Sequence, residues 1–281
     1  MNNKKKPSNR ILKRAVPLFL IVAVILSVIY AHFDNLQYQM GITVYEMESE
    51  KIDRELTVAL VCDLHNHRYG EENSELIEAV KKQEPDIIAV VGDIITRSEP
   101  DDISVLRPLL EKFCEIAPTY FALGNHEQAI VDTTNVIEEI EVSGAILLSQ
   151  EHEDIEIDGN KIRVGCLDSN PEKGCPGRVF LDDYSAEDEP YKLLLCHQPE
   201  YMHYFMKCEI DLVLCGHAHG GQVRLPDGQG IYSPEQGFMP KFTEGVFKSE
   251  TATMVISRGL GNAIWIPRIN NPAELVIVKV S

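Results

Sequence analysis

Five short apolar runs recur along the chain, each bounded by polar or glycine-containing turns. They occupy residues 56–61, 87–91, 120–123, 193–195 and 212–214. Short runs of aliphatic and aromatic residues between turn signals are typical of buried β-strands. The pattern therefore predicts five interior strands.

Helical periodicity separates the first three runs. One pattern places Leu76, Ile77 and Val80 on a single face, after a capping Asn73 or Ser74. A second pattern follows Asp101 and Asp102 and has apolar residues at positions 103, 106, 110 and 113. Strands that alternate with helices indicate a layered α/β fold with largely parallel pairing. In such folds ligands collect at the carboxyl ends of the strands.

Two later segments have patterns of their own. Residues 155–164 alternate around Asp158-Gly159, which predicts a β-hairpin. Residues 226–242 are rich in glycine and proline and carry the large side chains of Tyr232, Phe238, Met239 and Phe242. This second segment is either an apolar rim for a lipid-like substrate or a surface loop that packs on itself.

Polar motifs follow each of the five apolar runs. In chain order they are Asp63-Leu64-His65, Gly92-Asp93, Gly124-Asn125-His126-Glu127, His197 and Gly216-His217-Ala218-His219. Neutral imidazole is the usual nitrogen ligand of transition metals, and glycine lets the backbone bend closely around an ion. Five such motifs at the same end of a sheet predict a metal site there.

The ordered set of motifs resembles the calcineurin-like metallophosphoesterase superfamily over residues 57–281. The closing Gly-His-Ala-His-Gly-Gly-Gln and the later Ser257-Arg258-Gly259-Leu260-Gly261 resemble its membrane-anchored bacterial branch. The resemblance implies a four-layer sandwich of two mixed β-sheets flanked by helices. It also implies hydrolysis of a phosphoester with the help of two divalent ions.

The resemblance also implies a ligand set, in which the carboxylate of Asp93 bridges the two ions with its two oxygens. The expected remaining ligands are Asp63, His65 and His219 for one ion, and Asn125, His197 and His217 for the other. A mixed set of nitrogen and oxygen donors favours Mn, Fe or Zn over Mg or Ca. Two such ions roughly 3.5–4 Å apart clamp a phosphoryl group and acidify a water molecule.

His126 is similar to the family's histidine that is not a ligand and that donates a proton to the leaving oxygen. One branch of the family orients this histidine with an aspartate, but this chain has Thr96 at that position. We therefore expect Glu127 or a backbone carbonyl to hold the ring. Arg97 and His67 are candidate contacts to the substrate.

The N-terminus differs in kind from the rest of the chain. Six basic residues precede an uncharged apolar run: Lys4, Lys5, Lys6, Arg10, Lys13 and Arg14. The run is long enough to span a bilayer, and the basic flank places the N-terminus in the cytoplasm. The predicted division is a basic N-terminus 1–14, a transmembrane helix 15–33, a polar stalk 34–54 and a catalytic domain 55–281. A signal peptide cleaved near Ala31 is the alternative.

The chain has a net charge of −18, which opposes binding of long nucleic acids. The sequence thus predicts a membrane-anchored di-metal enzyme outside the cytoplasm that hydrolyses a phosphomonoester or phosphodiester, small or lipid-linked. One alternative is a binding protein for a phosphorylated envelope ligand with little or no turnover. A protein phosphatase is another, and Thr96 disfavours it.

Overall fold

The computed structural model describes residues 9–168, 177–186 and 188–281. Two six-stranded sheets form its centre. The first has the order β1 (Gly41–Met47), β14 (Glu274–Val280), β2 (Leu56–Val61), β3 (Ile87–Val91), β4 (Thr119–Ala122), β5 (Ile146–Leu147). The second has the order β12 (Gly245–Lys248), β13 (Ala252–Ile256), β9 (Ile210–Cys215), β8 (Tyr191–Cys196), β7 (Asn160–Leu167), β6 (Glu151–Ile157). Both sheets are mixed, because β14 runs antiparallel to β2 and β6 runs antiparallel to β7.

Helices cover the outer faces of both sheets. They are α2 (Ser74–Lys81), α3 (Leu106–Cys114), α4 (Asn125–Ile130), α5 (Val136–Val142), α6 (Arg178–Tyr184) and α7 (Met202–Phe205). A short hairpin of β10 (Tyr232–Ser233) and β11 (Gly237–Phe238) stands apart from both sheets. The architecture is the predicted α/β four-layer sandwich.

Three apolar cores hold the layers together, and the alternation of side chains along β2 shows how. Val58 and Leu60 point into the core between the sheets, whereas Ala59 and Val61 point toward α2, α3 and α5. A third core packs α6 and α7 against the outer face of β8 and β9. Because both faces of the central strands are buried, these strands are apolar throughout.

The predicted strands are confirmed. β4 begins and ends one residue earlier than predicted, and β8 and β9 each extend one or two residues beyond the predicted ends. Asn73 occupies the predicted N-cap position of α2, but its side chain makes no capping hydrogen bond to this helix. The Asn73 amide oxygen accepts the backbone N–H of Tyr69 instead, at 2.9 Å. The hairpin of β6 and β7 is confirmed, and Asp158 and Gly159 both have the positive φ that its turn requires.

The segment 34–54, predicted as a polar stalk, contributes a strand to the domain. Its residues 41–47 form β1, which pairs in parallel with β14 along its whole length. The side chains of Thr43, Tyr45 and Met47 point inward, while Ile42 and Val44 are each 45% exposed. The aliphatic residues of this edge strand are on its exposed face and not on its inward face. The sequence of β1 therefore lacks the pattern of a half-buried strand.

The helix α1 (Asn9–Gln37) precedes β1, and its segment Val16–Phe33 is long and apolar enough to cross a membrane. None of that segment is buried against the domain. A signal sequence would meet the same criterion. Residues 1–8, with three of the predicted basic residues, lie outside the described part of the chain.

Candidate metal centre

The predicted ligands come from the carboxyl ends of five strands. Asp63 and His65 follow β2, Asp93 follows β3, and Asn125 begins α4 after β4; His197 follows β8, and His217 and His219 follow β9. β2, β3 and β4 are parallel in one sheet, and β8 and β9 are parallel in the other. The two sheets therefore contribute to one site at the same edge of the sandwich.

The backbone at this site is held in an unusual conformation. Five of the expected ligands have a positive φ: Asp63 (53°), His65 (49°), Asp93 (55°), His217 (68°) and His219 (46°). Residues other than glycine rarely adopt this region, at a cost of about 1–3 kcal/mol each. Such strain persists where the surrounding structure enforces it, and it concentrates at functional sites. A Cβ atom at Gly259 would collide with the Asp63 side chain, which explains a glycine that also has φ +75°.

A first cluster contains Asp63, His65 and His219. The Nε2 atoms of the two histidines are 3.1 Å apart, and His219 Nε2 is 3.6 Å from Asp63 Oδ1. Burial lowers the pKa of His65 to about 3 and holds the pKa of His219 well below its usual range. Both rings are therefore neutral near pH 7, which is the form that binds a metal.

A second cluster contains Asp93, His197 and His217. His197 Nε2 is 3.1 Å from Asp93 Oδ2, and His65 Nε2 of the first cluster is 3.9 Å from the same oxygen. The other oxygen of Asp93, Oδ1, accepts the backbone N–H of His126 at 2.8 Å. Asp93 thus lies between the clusters, as expected for a bridge, but it offers one oxygen to both rather than one to each.

The residues present fit divalent cations. Asn125 Oδ1 is buried without a hydrogen-bond partner, which leaves an oxygen donor free at the wall of the site. Buried polar atoms are almost always paired, so an unpaired acceptor beside carboxylates and imidazoles fits the role of a cation ligand. The donors are nitrogen and oxygen atoms, the combination that suits Mn, Fe or Zn.

Neighbouring groups orient two of the imidazoles for binding. His197 Nδ1 is 2.7 Å from the carbonyl oxygen of Val91, so it donates its proton there and leaves Nε2 facing Asp93. His217 Nε2 is 2.6 Å from Glu235 Oε2, and this hydrogen bond lowers the pKa of Glu235. A ring that donates one nitrogen to a carbonyl or carboxylate presents the other to a metal.

Glu127 has a different role from the one the sequence predicts. Its carboxylate is fully buried and accepts the backbone N–H groups of Asp93, Ile94 and Gly124 at 2.8–3.0 Å. Burial and the charge of Asp93 raise the pKa of Glu127 to about 7. Glu127 therefore ties the loops after β3 and β4 together, and it does not hold the His126 ring.

The backbone N–H of Arg97 holds the His126 ring, at 3.1 Å from Nδ1. The expectation of a backbone carbonyl is therefore also wrong. Since Nδ1 accepts this hydrogen bond, the neutral ring carries its own proton on Nε2, which lies 4.0 Å from Asp93 Oδ2. His126 is close enough to His65 and Asp93 to share a cation, and with the proton on Nε2 its ring is a hydrogen-bond donor toward the cavity. Thr96 does not reach the ring and contacts Ser98.

A cavity of about 270 Å³ opens over the clusters. Asp93, Asn125, His126, His217 and His219 form its floor. Arg97 is exposed at its wall, where the guanidinium can meet an anion. His67 lies elsewhere: its ring stacks on Tyr38 at 3.8 Å and does not line the cavity, so the structure does not support it as a substrate contact.

Sequence reasoning missed Arg268, which is almost fully buried behind the first cluster. Its guanidinium donates to the carbonyl oxygens of Arg258, Gly259 and Gly261, and it lies 2.9 Å from His219 Nδ1. It fixes the Ser257–Gly261 turn against the metal-binding turn. Its only sequence signal is a basic residue inside an otherwise uncharged segment.

Comparison with known proteins agrees with this geometry. Residues 56–221 match the model of the calcineurin-like phosphoesterase family. An uncharacterized metallophosphoesterase of Campylobacter jejuni is 29% identical, over 100% of this chain and 73% of the relative. The phosphodiesterase YaeI of Escherichia coli is 25% identical, over 79% of this chain and 81% of its own length.

Among solved structures, the sulfate thiohydrolase SoxB of Thermus thermophilus has a TM-score of 0.50 and 11% identity. The match covers 80% of this chain and 56% of that one, and it shows a shared fold alone. The family match spans more than half of the chain and contains every expected metal ligand. The chain therefore belongs to the calcineurin-like phosphoesterase family of metal-dependent hydrolases.

Proposed function

We propose that this chain is a di-metal phosphoesterase that hydrolyses a phosphodiester or phosphomonoester. The observation that carries the proposal is the position of Asp93 Oδ2 between the imidazoles of the two clusters, within 4 Å of His65 and His197. Two cations held there would supply Lewis-acid stabilisation of the phosphoryl group and lower the pKa of an attacking water.

The chain's own residues supply the remaining parts of the mechanism. The side chains of Asp63, Asp93 and Asn125 provide oxygen donors, while His65, His197, His217 and His219 provide nitrogen donors. His126 directs Nε2–H into the cavity, where it can hydrogen-bond and protonate the leaving oxygen. The Arg97 guanidinium lies at the cavity wall, where it can pair with a nonbridging phosphate oxygen.

Purified full-length protein in detergent tests this proposal directly. We expect hydrolysis of a bis-nitrophenyl phosphodiester when Mn is present, and loss of the activity when a chelator is added. The name of the Escherichia coli relative, a phosphodiesterase, favours the diester over the monoester. No metal-dependent turnover of mono- or diesters would favour a binding protein instead.

We further propose that α1 anchors the enzyme in the cytoplasmic membrane with the domain outside. No residue of the apolar segment Val16–Phe33 is buried, and six basic residues precede it in the sequence. Basic flanks stay in the cytoplasm. An exposed apolar face of this length is unstable in water, which supports a lipid environment for it.

Protease added to intact protoplasts is expected to digest the domain, because this topology places residues after the helix outside. Membranes from untreated cells should retain the full-length chain. Protection of the domain in intact protoplasts, with digestion only after lysis, would contradict the orientation. A shortened and freely soluble product would favour signal cleavage.

A lipid-linked phosphoester is the substrate class that we propose for the anchored enzyme. The hairpin of β10 and β11 places Tyr232 at the cavity wall, and its ring packs against Phe238 at 5.5 Å. Phe238 is 80% exposed and Met239 is 57% exposed. Phe242, in contrast, packs against Phe247 and the third apolar core, so it belongs to the fold rather than the rim.

The variant Phe238→Ser is therefore expected to lower kcat/KM for a lipid phosphoester and to leave that for a small soluble ester nearly unchanged. Contacts to a remote apolar tail assist only substrates that have one. The matched control is Val179→Ser, which removes an equally exposed apolar side chain on α6, away from the cavity. Equal losses on both esters would mean that the hairpin only supports the metal-binding turn.

A further inference from the structure

The loop of residues 262–266 contributes to the wall of the cavity, as does Tyr232 of the β10–β11 hairpin. Asn262, Ala263 and Ile264 line the cavity, and the next two residues do not. Trp265 is 81% exposed, Ile264 is 48% exposed and Ile266 is 37% exposed. The nine residues 259–267 contain no charged side chain. Three consecutive exposed apolar residues at the mouth of a site are unusual for a surface that faces only water.

Hydrogen bonds hold this loop in shape. The side-chain amide of Gln222, in the metal-binding turn, donates to the carbonyl oxygen of Ile266 at 2.6 Å. The side-chain amide of Asn262 donates to the same carbonyl at 2.9 Å, across the base of the loop. The loop is therefore closed at its base, and it presents Trp265 at a fixed position relative to the metal centre.

The apolar helix α1 meets this loop. The Tyr30 hydroxyl donates to the carbonyl oxygen of Trp265 at 3.2 Å. Tyr30 lies three residues before Phe33, the end of the apolar segment, which corresponds to about 4.5 Å along a helix axis. If the segment spans a bilayer, Tyr30 lies at the depth where the acyl chains meet the headgroups, and Trp265 lies at the same depth. Tryptophan and tyrosine concentrate at that depth in membrane proteins.

We propose that the loop 262–266 is a second membrane contact, in which Trp265 and its isoleucine neighbours enter the interface of the bilayer that α1 spans. The contact places the cavity mouth at the level of the lipid headgroups, between the loop and the β10–β11 hairpin. This proposal rests on the proposed anchoring by α1 but not on the proposed hydrolysis. The partner is the lipid bilayer itself, because the loop continues the apolar surface of the helix and carries no charge.

Trp265 is the chain's single tryptophan, so its fluorescence reports on this loop alone. The test uses full-length protein reconstituted into phosphatidylcholine vesicles whose acyl chains carry bromine either near the headgroup or near the bilayer centre. We expect a roughly twofold or greater loss of emission with the shallow bromines, a smaller loss with the deep ones, and protection from acrylamide, as for an interfacial indole.

The matched control is Val179→Trp in a Trp265→Phe background. Val179 is 84% exposed on α6, which packs on β7 next to the β6 edge, whereas α1 leads into β1 at the opposite edge of the sandwich. This tryptophan should be quenched by acrylamide and not by bromine. If the wild-type chain floats with the vesicles but Trp265 behaves like the control, the inference is overturned, whatever the enzyme hydrolyses. If the chain does not float with vesicles, both the anchor and this inference are overturned.

Discussion

Asp93→Asn is expected to deplete metal from both clusters and to abolish phosphoester hydrolysis, with the fold intact. Oδ2 of Asp93 lies within 4 Å of imidazoles from each cluster, so loss of its negative charge weakens both sites together. The loss of metal affinity should exceed the roughly 10–100-fold change that follows removal of an outer-shell partner. Metal per chain by mass spectrometry and turnover of a nitrophenyl diester measure the effect.

Asp158→Asn provides the matched control for this variant. Asp158 lies in the β6–β7 turn with a φ of 51°, a conformation that asparagine also tolerates. The control should keep both its metal and its activity. Two metals per chain and wild-type turnover in Asp93→Asn would show that Asp93 is not the bridge.

His126→Ala is expected to lower kcat by about 10²–10⁴, the contribution of a positioned proton donor. The metal content should not change, because we assign His126, held by the Arg97 N–H at Nδ1, to proton donation from Nε2 rather than to metal binding. Measurement of kcat and of metal per chain on the same preparation separates the two roles.

His203→Ala on α7 serves as the control for His126→Ala, since this histidine is exposed and outside the cavity. It should retain full activity and full metal content. Loss of one metal ion in His126→Ala would instead make His126 a ligand and would assign the proton donor to another residue.

The strands that carry the ligands could be predicted from the sequence because their two faces are both buried. Such strands are continuous apolar runs, and the polar motifs after them stand out against that background, as for Asp63 after β2 and His217 after β9. β1 gave no such signal, because at the edge of its sheet the inward positions hold Thr43, Tyr45 and Met47.

Contacts between segments that are distant in the sequence could not be predicted from the spacing of the motifs. The sequence placed Glu127 beside His126, but the Glu127 carboxylate turns away to pair with backbone N–H groups, some from a loop more than thirty residues earlier. Those N–H groups stabilise the Glu127 carboxylate, which is buried near Asp93. Arg268 and Trp265 are likewise defined by tertiary contacts, with His219 and Tyr30 respectively.

Anomalous diffraction from crystals grown with Mn is the most direct test of the central claim, a metal pair bridged by Asp93. We expect two peaks roughly 3.5–4 Å apart, one among Asp63, His65 and His219 and the other among Asn125, His197 and His217, with Asp93 Oδ2 between them. A single peak, or a pair of peaks that Asp93 does not join, would contradict the account.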